Sequence, residues 1–521
     1  MKRNRLFTLS ILSGLLLALP WLEWFSGIIL FIALIPLFFV EDYLFRSRDK
    51  NKKIVGWGYA FLTFLIWNII ATGWLYKVSF PGALIVIVGN AFLLSLVFWL
   101  FHIVKRNMGE QFGNFSLLVF WLAWEYLYMN TEISWPWLNL GNGFAKDINL
   151  IQWYEYTGIL GGTFWILAVN LLLFQVLRNY VVHRNIKGRV KQLVFLGVVV
   201  IAPIIFSVVR FNQYKEKGEE VRIGIIQPNV DPYKEKFSQI SQDAQLGRIA
   251  KLSFKIADQE LDYLVGPETA LIDSFYINQL EENRQIELLK AFPRLYPDLH
   301  YVIGIEAKRK VDKKKEPIVY NSAIQIDSTD QIQIYHKSKL VPGVEMMPYS
   351  EFFGFLDHLM LNIGGAPGTH GKQLDSEVFE GNQGVKVAPV ICYESVYGEY
   401  VSRYVNKGAE LIFIMTNDGW WGGTQGYKQH LNYASLRSIE TRRAVARSAN
   451  TGISCFINQK GQILKSTDWG KQAAIKGILQ ANTQKTFYVK YGNYIGRIAS
   501  FLGIFALLYL LVGVLMTKKE K

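Results

Sequence analysis

The sequence predicts a multi-span α-helical membrane domain joined to a water-exposed α/β domain, on three observations. The chain has 521 residues, which is too long for one ordinary domain. Its long apolar runs are concentrated in residues 1–212 and return at 494–516. Residues 213–490 between them have the mixed composition of a soluble protein. We therefore expect a transmembrane domain at 1–212, a water-exposed domain at 213–490, and a last helix with a tail at 491–521.

A membrane-spanning helix needs about 20 mostly apolar residues. Stretches of this kind lie near 6–20, 23–41, 54–76, 80–104, 114–129, 160–178, 192–210 and 494–516, which predicts about eight spans. The basic start and the apolar run at 6–20 also fit a signal peptide. No small-residue cleavage site follows, and a second apolar run begins almost at once, so we favour a helical hairpin.

The net charge of +14 lies largely in loops between the apolar runs. Basic residues cluster at the two ends of the chain and after the second, fourth and sixth runs, whereas the alternate loops hold few, among them Lys77 and Lys146. Because positive loops stay in the cytoplasm, this alternation predicts an even number of spans, cytoplasmic termini, and residues 213–490 on the outer side. No zinc spacing or basic–aromatic ladder supports a nucleic-acid partner.

One carboxylate, Glu125, lies near the end of the fifth apolar run. Carboxylates inside a membrane are usually functional or paired, and an interfacial position and a buried one are both open for Glu125. The loop at 133–145 that follows is rich in Trp, Pro and Gly, which is typical of an aromatic belt at the membrane interface.

Strand-like runs separated by helical stretches indicate α/β layers in residues 213–490. The runs lie at 221–227, 261–268, 299–306, 319–327, 332–337, 385–394, 411–418 and 452–459, and 238–260 has helical periodicity. Three runs end in polar or reactive residues: Glu268, Cys392, and Asn417 with Asp418. Because ligands of open α/β sheets bind beyond the carboxyl ends of strands, we expect these residues to converge. Asn417 and Asp418 have a second interpretation, as turn residues.

Cys392 is a candidate nucleophile at one of these strand ends. Such a cysteine needs a base to take its proton and a cation or donor to hold the oxyanion. No histidine is suitably placed, since His336 points away from its neighbour Lys337, and His370 and His430 lie in a loop or on a helix. Cys455, in mid-strand, is expected to be a core residue. The candidate site is therefore Glu268, Lys337, Glu345 and Cys392.

Three motifs, in this order, resemble the nitrilase superfamily: "GPE" at 266–268, "YHKSKLVP" at 335–342 and "ICYE" at 391–394. That superfamily carries a Glu–Lys–Cys triad on an α-β-β-α sandwich, so the resemblance implies a nitrilase-like α-β-β-α sandwich for residues 213–490.

Four further motifs, together with the spans before and after the domain, are similar to the apolipoprotein N-acyltransferase family. They are "WPWLNLG" (135–141), "TNDGWWG" (416–422), "RSIETRRAVARSANTG" (437–452) and "TFYVKYGNY" (486–494). The resemblance runs nearly from end to end. It implies a multi-pass protein of the bacterial inner membrane whose catalytic domain is periplasmic.

The resemblance also implies roles for the site residues. Cys392 would be the nucleophile and Glu268 the general base. Lys337, helped by the backbone N–H of Tyr393, would stabilise the oxyanion. Glu345 would be a supporting carboxylate, with a merely solvated side chain as its alternative.

By the same resemblance, Glu394 would support the cysteine loop. The chain departs from the family pattern in two places. Lys339 replaces a family histidine, and in "LVPGVE" the glycine is shifted to Gly343. A family tryptophan after the first strand is missing as well, and Phe237 or Tyr233 are its candidate replacements.

The reaction implied is two-step acyl transfer. An acyl chain passes from a membrane phospholipid to a Cys392 thioester, and then to the α-amine of the diacylglyceryl-modified N-terminal cysteine of an apolipoprotein. The resemblance implies no metal or organic cofactor. The expected partners are these two lipid substrates and the bilayer, with no nucleic acid, and we expect a monomer.

Lipid substrates require apolar walls, and two stretches offer them. The segment 351–365, which includes Phe353, is strongly apolar for a soluble loop, and Trp420 and Trp421 lie between glycines. We expect 351–365 to be a lid that enters the outer leaflet, with ordinary core packing as its alternative.

Two other functions are also considered for this sequence. A membrane-tethered amidase would share the triad but use water as the acceptor. A non-catalytic lipid-binding scaffold would lack one of the triad residues, whereas all three are present. A transporter is disfavoured, because the spans carry few charged groups and the large domain would be unexplained.

Overall fold

The computed structural model describes residues 2–47, 52–183, 190–236, 242–311, 316–329, 331–354, 370–381 and 384–519. The chain forms two compact units. Residues 1–213 and 493–521 make the first unit, and residues 214–492 make the second.

Helices and strands are numbered in chain order. The helices are α1 Arg3–Ala18, α2 Leu30–Ala33, α3 Ile35–Arg46, α4 Lys52–Thr72, α5 Phe80–Met108, α6 Glu110–Tyr128, α7 Tyr154–His183, α8 Val190–Gln213, α9 Gln242–Ile256, α10 Arg284–Leu289, α11 Ala291–Leu295, α12 Ser350–Phe353, α13 Gly398–Asn406, α14 Gln425–Thr441, α15 Phe487–Tyr491 and α16 Tyr494–Lys519. The strands are β1 Glu219–Gln227, β2 Tyr263–Val265, β3 Leu271–Tyr276, β4 His300–Arg309, β5 Ile318–Ile326, β6 Gln333–His336, β7 Phe379–Glu380, β8 Lys386–Ile391, β9 Leu411–Thr416, β10 Ala444–Ala449, β11 Cys455–Ile457, β12 Ile463–Ser466 and β13 Ala473–Ala481.

The first unit is a bundle of long apolar helices. Within the described residues, 7 helical stretches are long and apolar enough to cross a membrane: Arg3–Trp21, Gly27–Arg46, Gly56–Lys77, Phe80–Met108, Tyr154–Val181, Val190–Gln213 and Tyr494–Gly513. This number is close to the predicted eight. The predicted span near 114–129 is helical, as α6, but it is not among these stretches.

Polar side chains join the helices of this bundle. The Thr63 hydroxyl on α4 donates to the Ser10 carbonyl on α1 at 2.9 Å, and Asn90 on α5 donates to the Asn68 side chain on α4 at 2.8 Å. Where water is excluded, such bonds satisfy the polar groups and hold neighbouring helices together.

Glu125 on α6 is buried and fully engaged. Its carboxylate accepts from the Trp121 indole at 3.0 Å, from the Leu140 backbone N–H at 2.9 Å, and from the Thr163 hydroxyl at 2.7 Å. Of the two positions that the sequence leaves open for Glu125, the structure shows the buried one, with the carboxylate hydrogen-bonded. Through Leu140 the carboxylate also holds the loop that contains "WPWLNLG".

The second unit contains two β-sheets. Among the described residues one sheet has the strand order β13-β1-β2-β4-β5-β6, with β3 also paired to β4, and the other has the order β12-β11-β10-β9-β8-β7. Strands β1, β2 and β4 are mutually parallel, and so are β8, β9 and β10. Every residue of β9 and β10 is buried, as expected for strands covered on both faces.

Helices cover the outer faces of the two sheets, which gives the α-β-β-α layers. Leu246 and Ile249 of α9 pack in one core cluster with Leu264 of β2, while α13 and α14 pack against the sheet that contains β8 and β10. The inner faces meet between β2 and β9, where the rings of Tyr263 and Phe413 are 5.1 Å apart. The predicted nitrilase-like sandwich is confirmed.

All eight predicted runs contain a strand, but β3, β7, β10, β12 and β13 were not predicted. The β10 sequence "AVARSA" is rich in Ala, which has a low preference for strands. It is extended because it pairs with β9 on one side and β11 on the other. This is a tertiary effect that local sequence does not encode.

Candidate active site

Three strands present the candidate residues at their carboxyl ends. Glu268 follows β2 by three residues, while Lys337 and Cys392 come directly after β6 and β8. All three side chains are buried, with 1% of Lys337 exposed. The charges of Glu268 and Lys337 both act on the Cys392 thiol. The structure therefore brings the predicted Glu–Lys–Cys set together.

Lys337 is held between two carboxylates. Its Nζ lies 3.0 Å from Glu268 Oε1 and 2.9 Å from Glu345 Oε1. Burial opposes the positive charge, but Glu268, Glu345 and Cys392 outweigh it and hold the pKa of Lys337 well above its ordinary value. Lys337 is therefore a fixed cation in this site.

Glu345 is engaged on both oxygens, because Oε2 also accepts from the Val341 backbone N–H at 2.8 Å. Burial alone would raise the pKa of Glu345, but Lys337, His370 and a hydrogen bond from Asn321 lower it. The structure places this side chain inside the cluster, which favours the supporting carboxylate over the solvated alternative.

Asn321 on β5 belongs to the same cluster and was missed by sequence analysis. Its Nδ2 donates to Glu268 Oε1 at 2.8 Å and to Glu345 Oε1 at 2.9 Å. A neutral donor between two like charges reduces the cost of placing them side by side. The available signal was an amide inside the apolar strand "VYNSAIQI".

Cys392 has an unusual backbone conformation. Its φ is +48°, in the left-handed region that side chains other than glycine rarely adopt. It opens a short 3₁₀ turn, Cys392–Val396, directly at the end of β8. Such strain persists only where the surrounding structure fixes it, and it occurs frequently at active sites.

The Cys392 thiol is protonated at rest. Burial raises its pKa, the negative charge of Glu268 adds to the rise, and Lys337 opposes it. A thiol of this kind reacts only when a base removes its proton as it attacks. Glu268 has the right chemistry for that base.

Glu394 ties the cysteine turn to the end of β6. One carboxylate oxygen accepts from the Tyr335 hydroxyl at 2.6 Å and from the Ser338 backbone N–H at 2.7 Å, and the other accepts from the Ile391 N–H at 2.9 Å. Burial raises the pKa of Glu394, and these donors oppose the rise. The side chain thus bridges the segments that carry the lysine and the cysteine.

Asn417 and Asp418 lie in a tight turn after β9. Asn417 Oδ1 accepts from the Gly419 N–H at 3.4 Å, and Asp418 Oδ2 accepts from Arg447 at 2.7 Å. Both side chains are buried. Their contacts favour the turn interpretation over direct binding of a substrate.

Trp420 and Trp421 are partly exposed beside this turn. The Trp420 ring lies edge-on to Tyr233, with centroids 5.2 Å apart, and Trp421 packs edge-on against His430 at 5.3 Å. Partly exposed aromatic surface is compatible with a role as substrate wall.

For the other residues predicted to bind substrate, the structure does not describe the side chains. Phe237 lies outside the described residues, and so does most of the proposed lid, at 355–365. The backbone of Phe353 is described, at the end of α12, but its side chain is not. These assignments stay predictions.

Lys236 is a second buried lysine near the cluster and was not predicted. Its Nζ donates to the Thr269 hydroxyl, next to Glu268. Burial lowers its pKa to about 8, although the charges of Glu268, Glu306 and Cys392 oppose that change. Nothing in "DPYKEKF" distinguishes Lys236 from the exposed Lys234.

Comparison with known proteins identifies the class to which this fold and site belong. Residues 222–487 match the family model described as carbon-nitrogen hydrolase, which is just over half of the 521-residue chain. The chain belongs to the carbon-nitrogen hydrolase family. Residues 13–172 match a second model, the apolipoprotein N-acyltransferase N-terminal domain.

Proteins named apolipoprotein N-acyltransferase are similar over nearly the whole chain. The protein of Chlorobaculum tepidum is 28% identical, over 98% of this chain and 96% of its own. That of Geobacter metallireducens is 29% identical, over 94% and 92%. Together with the two family models, these matches confirm the resemblance to apolipoprotein N-acyltransferases, a family of membrane proteins, and they do not favour the amidase or the scaffold.

Among solved structures, an amidase from Nesterenkonia sp. is similar to part of the chain. It has a TM-score of 0.35 and 16% identity, and the match covers 51% of this chain and 93% of that one.

Proposed function

We propose that this chain is an apolipoprotein N-acyltransferase that works by two acyl transfers through Cys392. The observation that carries the mechanism is the buried cluster at the strand ends, in which a fixed cation, two carboxylates and a protonated thiol come together. The long apolar helices of the first unit would place the protein in the membrane, where both lipid substrates are found.

In the first transfer, the Cys392 sulfur attacks the ester carbonyl of a membrane phospholipid while Glu268 takes the thiol proton. The negative charge that forms on the carbonyl oxygen is stabilised by the Lys337 ammonium and the Tyr393 backbone N–H. Fixed donors of this kind are usually the largest electrostatic contribution to acyl transfer. The tetrahedral species then expels the glycerol oxygen, which receives the proton from Glu268. A lyso-phospholipid leaves and a thioester remains.

In the second transfer, the α-amine of a diacylglyceryl-modified cysteine attacks the thioester carbonyl. Glu268 takes the amine proton, the C–S bond breaks, and the proton returns to sulfur. An amide has formed and the thiol is restored. Buried, apolar surroundings disfavour attack by water, so transfer to the amine is faster than hydrolysis.

We further propose the placement that the charge pattern predicts. Both termini would be cytoplasmic, the second unit would face the periplasm, and the protein would lie in the inner membrane as a monomer. Trp420 and Trp421, with Phe237 and Phe353, would form apolar walls for the acyl chains.

A matched pair of cysteine variants tests the proposed function. Protein in phospholipid vesicles is incubated with a diacylated lipopeptide, and the triacylated product is measured by mass spectrometry. Wild type and Cys455→Ala should form product, because Cys455 is a buried core residue of β11. Cys392→Ala should form none. Product from Cys392→Ala, or free fatty acid without product from wild type, would contradict the proposal.

A further inference from the structure

A buried hydrogen-bonded cluster behind Cys392 has no role in the reaction described above. It consists of Ser395, Asp418, His430 and Arg447, all of them buried. His430 Nδ1 lies 3.1 Å from Asp418 Oδ1, and His430 Nε2 lies 2.9 Å from the Ser395 hydroxyl. Sequence analysis set His430 aside because it lies on a helix, α14.

The cluster ends on the carbonyl oxygen of Cys392. That oxygen accepts from the Ser395 hydroxyl at 2.7 Å and lies 3.2 Å from His430 Nε2. A carbonyl only accepts, so the second contact requires a hydrogen on Nε2. On the other side of the ring, Nδ1 lies 3.2 Å from Arg447 Nη2 and 3.1 Å from Asp418 Oδ1, and these two contacts orient the imidazole.

Arg447 and Asp418 hold His430 through Nδ1, the ring nitrogen that does not face the Cys392 carbonyl. Arg447 Nη2 donates to Asp418 Oδ2 at 2.7 Å, and Arg447 Nη1 donates to the Ile453 carbonyl at 2.6 Å. Because the ion pair is buried, its two members have few alternative partners, and the imidazole has one favoured orientation.

Geometry connects this carbonyl to the oxyanion. The C=O of Cys392 and the N–H of Tyr393 belong to one planar trans peptide and point in opposite directions. Fixing the carbonyl toward His430 and Ser395 therefore fixes the N–H toward the other side, where the reacting carbonyl oxygen must sit. The positive φ of Cys392 makes this orientation costly to hold without such anchors.

We propose that His430, together with Ser395, is a positioning residue that sets the oxyanion-binding peptide between Cys392 and Tyr393. The proposal rests on the proposed function, since it assigns these residues to the acyl-transfer step. Neither side chain touches the substrate. Each acts through the peptide whose carbonyl it holds.

Two substitutions at position 430 form a matched test. His430→Gln keeps an amide group near the position of Nε2, whereas His430→Asn is too short to reach the Cys392 carbonyl. In the full-length protein, the rate of acyl-enzyme formation from phospholipid is measured in single turnover. Alkylation of Cys392 by iodoacetamide is measured beside it, because that displacement at a saturated carbon forms no oxyanion.

Loss of the histidine contact should slow acyl-enzyme formation much more than alkylation of Cys392. His430→Asn should slow acylation by about 100-fold, the usual effect of losing an oxyanion donor, and leave alkylation within about threefold, because the base and the thiol are intact. His430→Gln should recover most of the acylation rate. Unchanged acylation in His430→Asn, or an equal fall in both rates, would overturn the proposal.

Ser395→Ala is the second variant, for use if His430→Asn does not fold. It removes the 2.7 Å donor to the carbonyl, together with the hydroxyl that lies 2.9 Å from His430 Nε2. It should slow acylation by about tenfold, as expected for one hydrogen bond, without slowing alkylation, and an unchanged acylation rate would count against the proposal. If wild type is alkylated at Cys392 but never acylated by phospholipid, the proposed function itself is wrong.

Discussion

Lys337 brings a positive charge next to Glu268 and Cys392, the candidate base and nucleophile. Its ammonium lies between the Glu268 and Glu345 carboxylates, and its positive charge favours the Cys392 thiolate, which the negative charge of Glu268 opposes. In the proposed reaction, transfer of the Cys392 proton to Glu268 keeps the total charge constant but neutralises one of the two carboxylates. Lys337 would then have one carboxylate partner fewer and would be available for the oxyanion as it forms.

Lys236 provides a prediction about pH and stability. Burial lowers its pKa from 10.5 to about 8. A lysine whose pKa falls on folding binds fewer protons in the folded state, so its penalty is full below pH 8 and fades as the pH rises toward 10.5. Lys236→Met should therefore stabilise the protein at pH 7, by about 3 kcal/mol, and the gain should shrink above pH 8.

Thermal unfolding of the detergent-solubilised protein from pH 6.5 to 9.5 would measure this gain. Lys234→Met is the control, because that lysine is exposed and only two residues away. A melting temperature that Lys236→Met leaves unchanged at pH 7, or a gain that is the same at every pH, would show that Lys236 is not a buried cation.

The predictability of the site differs from residue to residue. Cys392 and Glu268 stand at the ends of apolar runs, and their positions alone indicated a site. Asn321, Lys236 and His430 act through partners distant in sequence, for example the 53 residues that separate Asn321 from Glu268. Their roles depend on which strands and helices become neighbours, and no local pattern reports that.

At the scale of elements, the loop that Glu125 holds depends on close packing. Gly141 lies in this loop, and a Cβ added there would overlap the backbone carbonyl of Ile159 on α7. Backbone cannot yield as a flexible side chain can, so Gly141→Ala should cost about 2 kcal/mol or more.

Gly89→Ala is the matched control for this prediction. Gly89 lies within α5, and a Cβ there meets no atom within 4 Å. Because alanine favours a helix over glycine, this variant should be as stable as wild type or slightly more stable. Melting temperatures in detergent would compare the two, and equal values for both variants would contradict the packing argument.

Strand prediction succeeded where burial on both faces makes a run continuously apolar, as in "LIFIMT" of β9. It failed for β13, "AAIKGILQA", in which apolar and polar residues mix. That strand is defined by its antiparallel pairing with β1 along Glu219–Gln227. Pairing between segments more than 200 residues apart is set by the whole fold.

At the scale of the whole molecule, the two termini lie on the same side of the membrane only if α6 crosses it. This helix runs antiparallel to α16, since Phe112 packs on Tyr509 at one end and Tyr126 contacts Gly496 at the other. These contacts extend from Gly496 to Tyr509, which is most of the apolar stretch Tyr494–Gly513 of α16, so α6 is expected to span as well. Counted with the 7 stretches found among the described residues, α6 would give the even number of spans that the charge pattern predicts.

Reporter fusions test this topology. A fluorescent protein that matures only in the cytoplasm should be fluorescent at either terminus. Alkaline phosphatase, which is active only in the periplasm, should be active when inserted at Lys310, in the loop after β4. Activity at a terminus, or fluorescence in that loop, would contradict the proposed placement.

The central claim is that the acyl chain passes through Cys392 itself. The most direct measurement is the intact mass of the purified protein after incubation with phospholipid alone, beside Cys392→Ala. Wild type should gain the mass of one acyl chain, the variant should gain nothing, and a diacylated lipopeptide should remove the added mass. Triacylated product formed without any adduct on Cys392 would contradict the account.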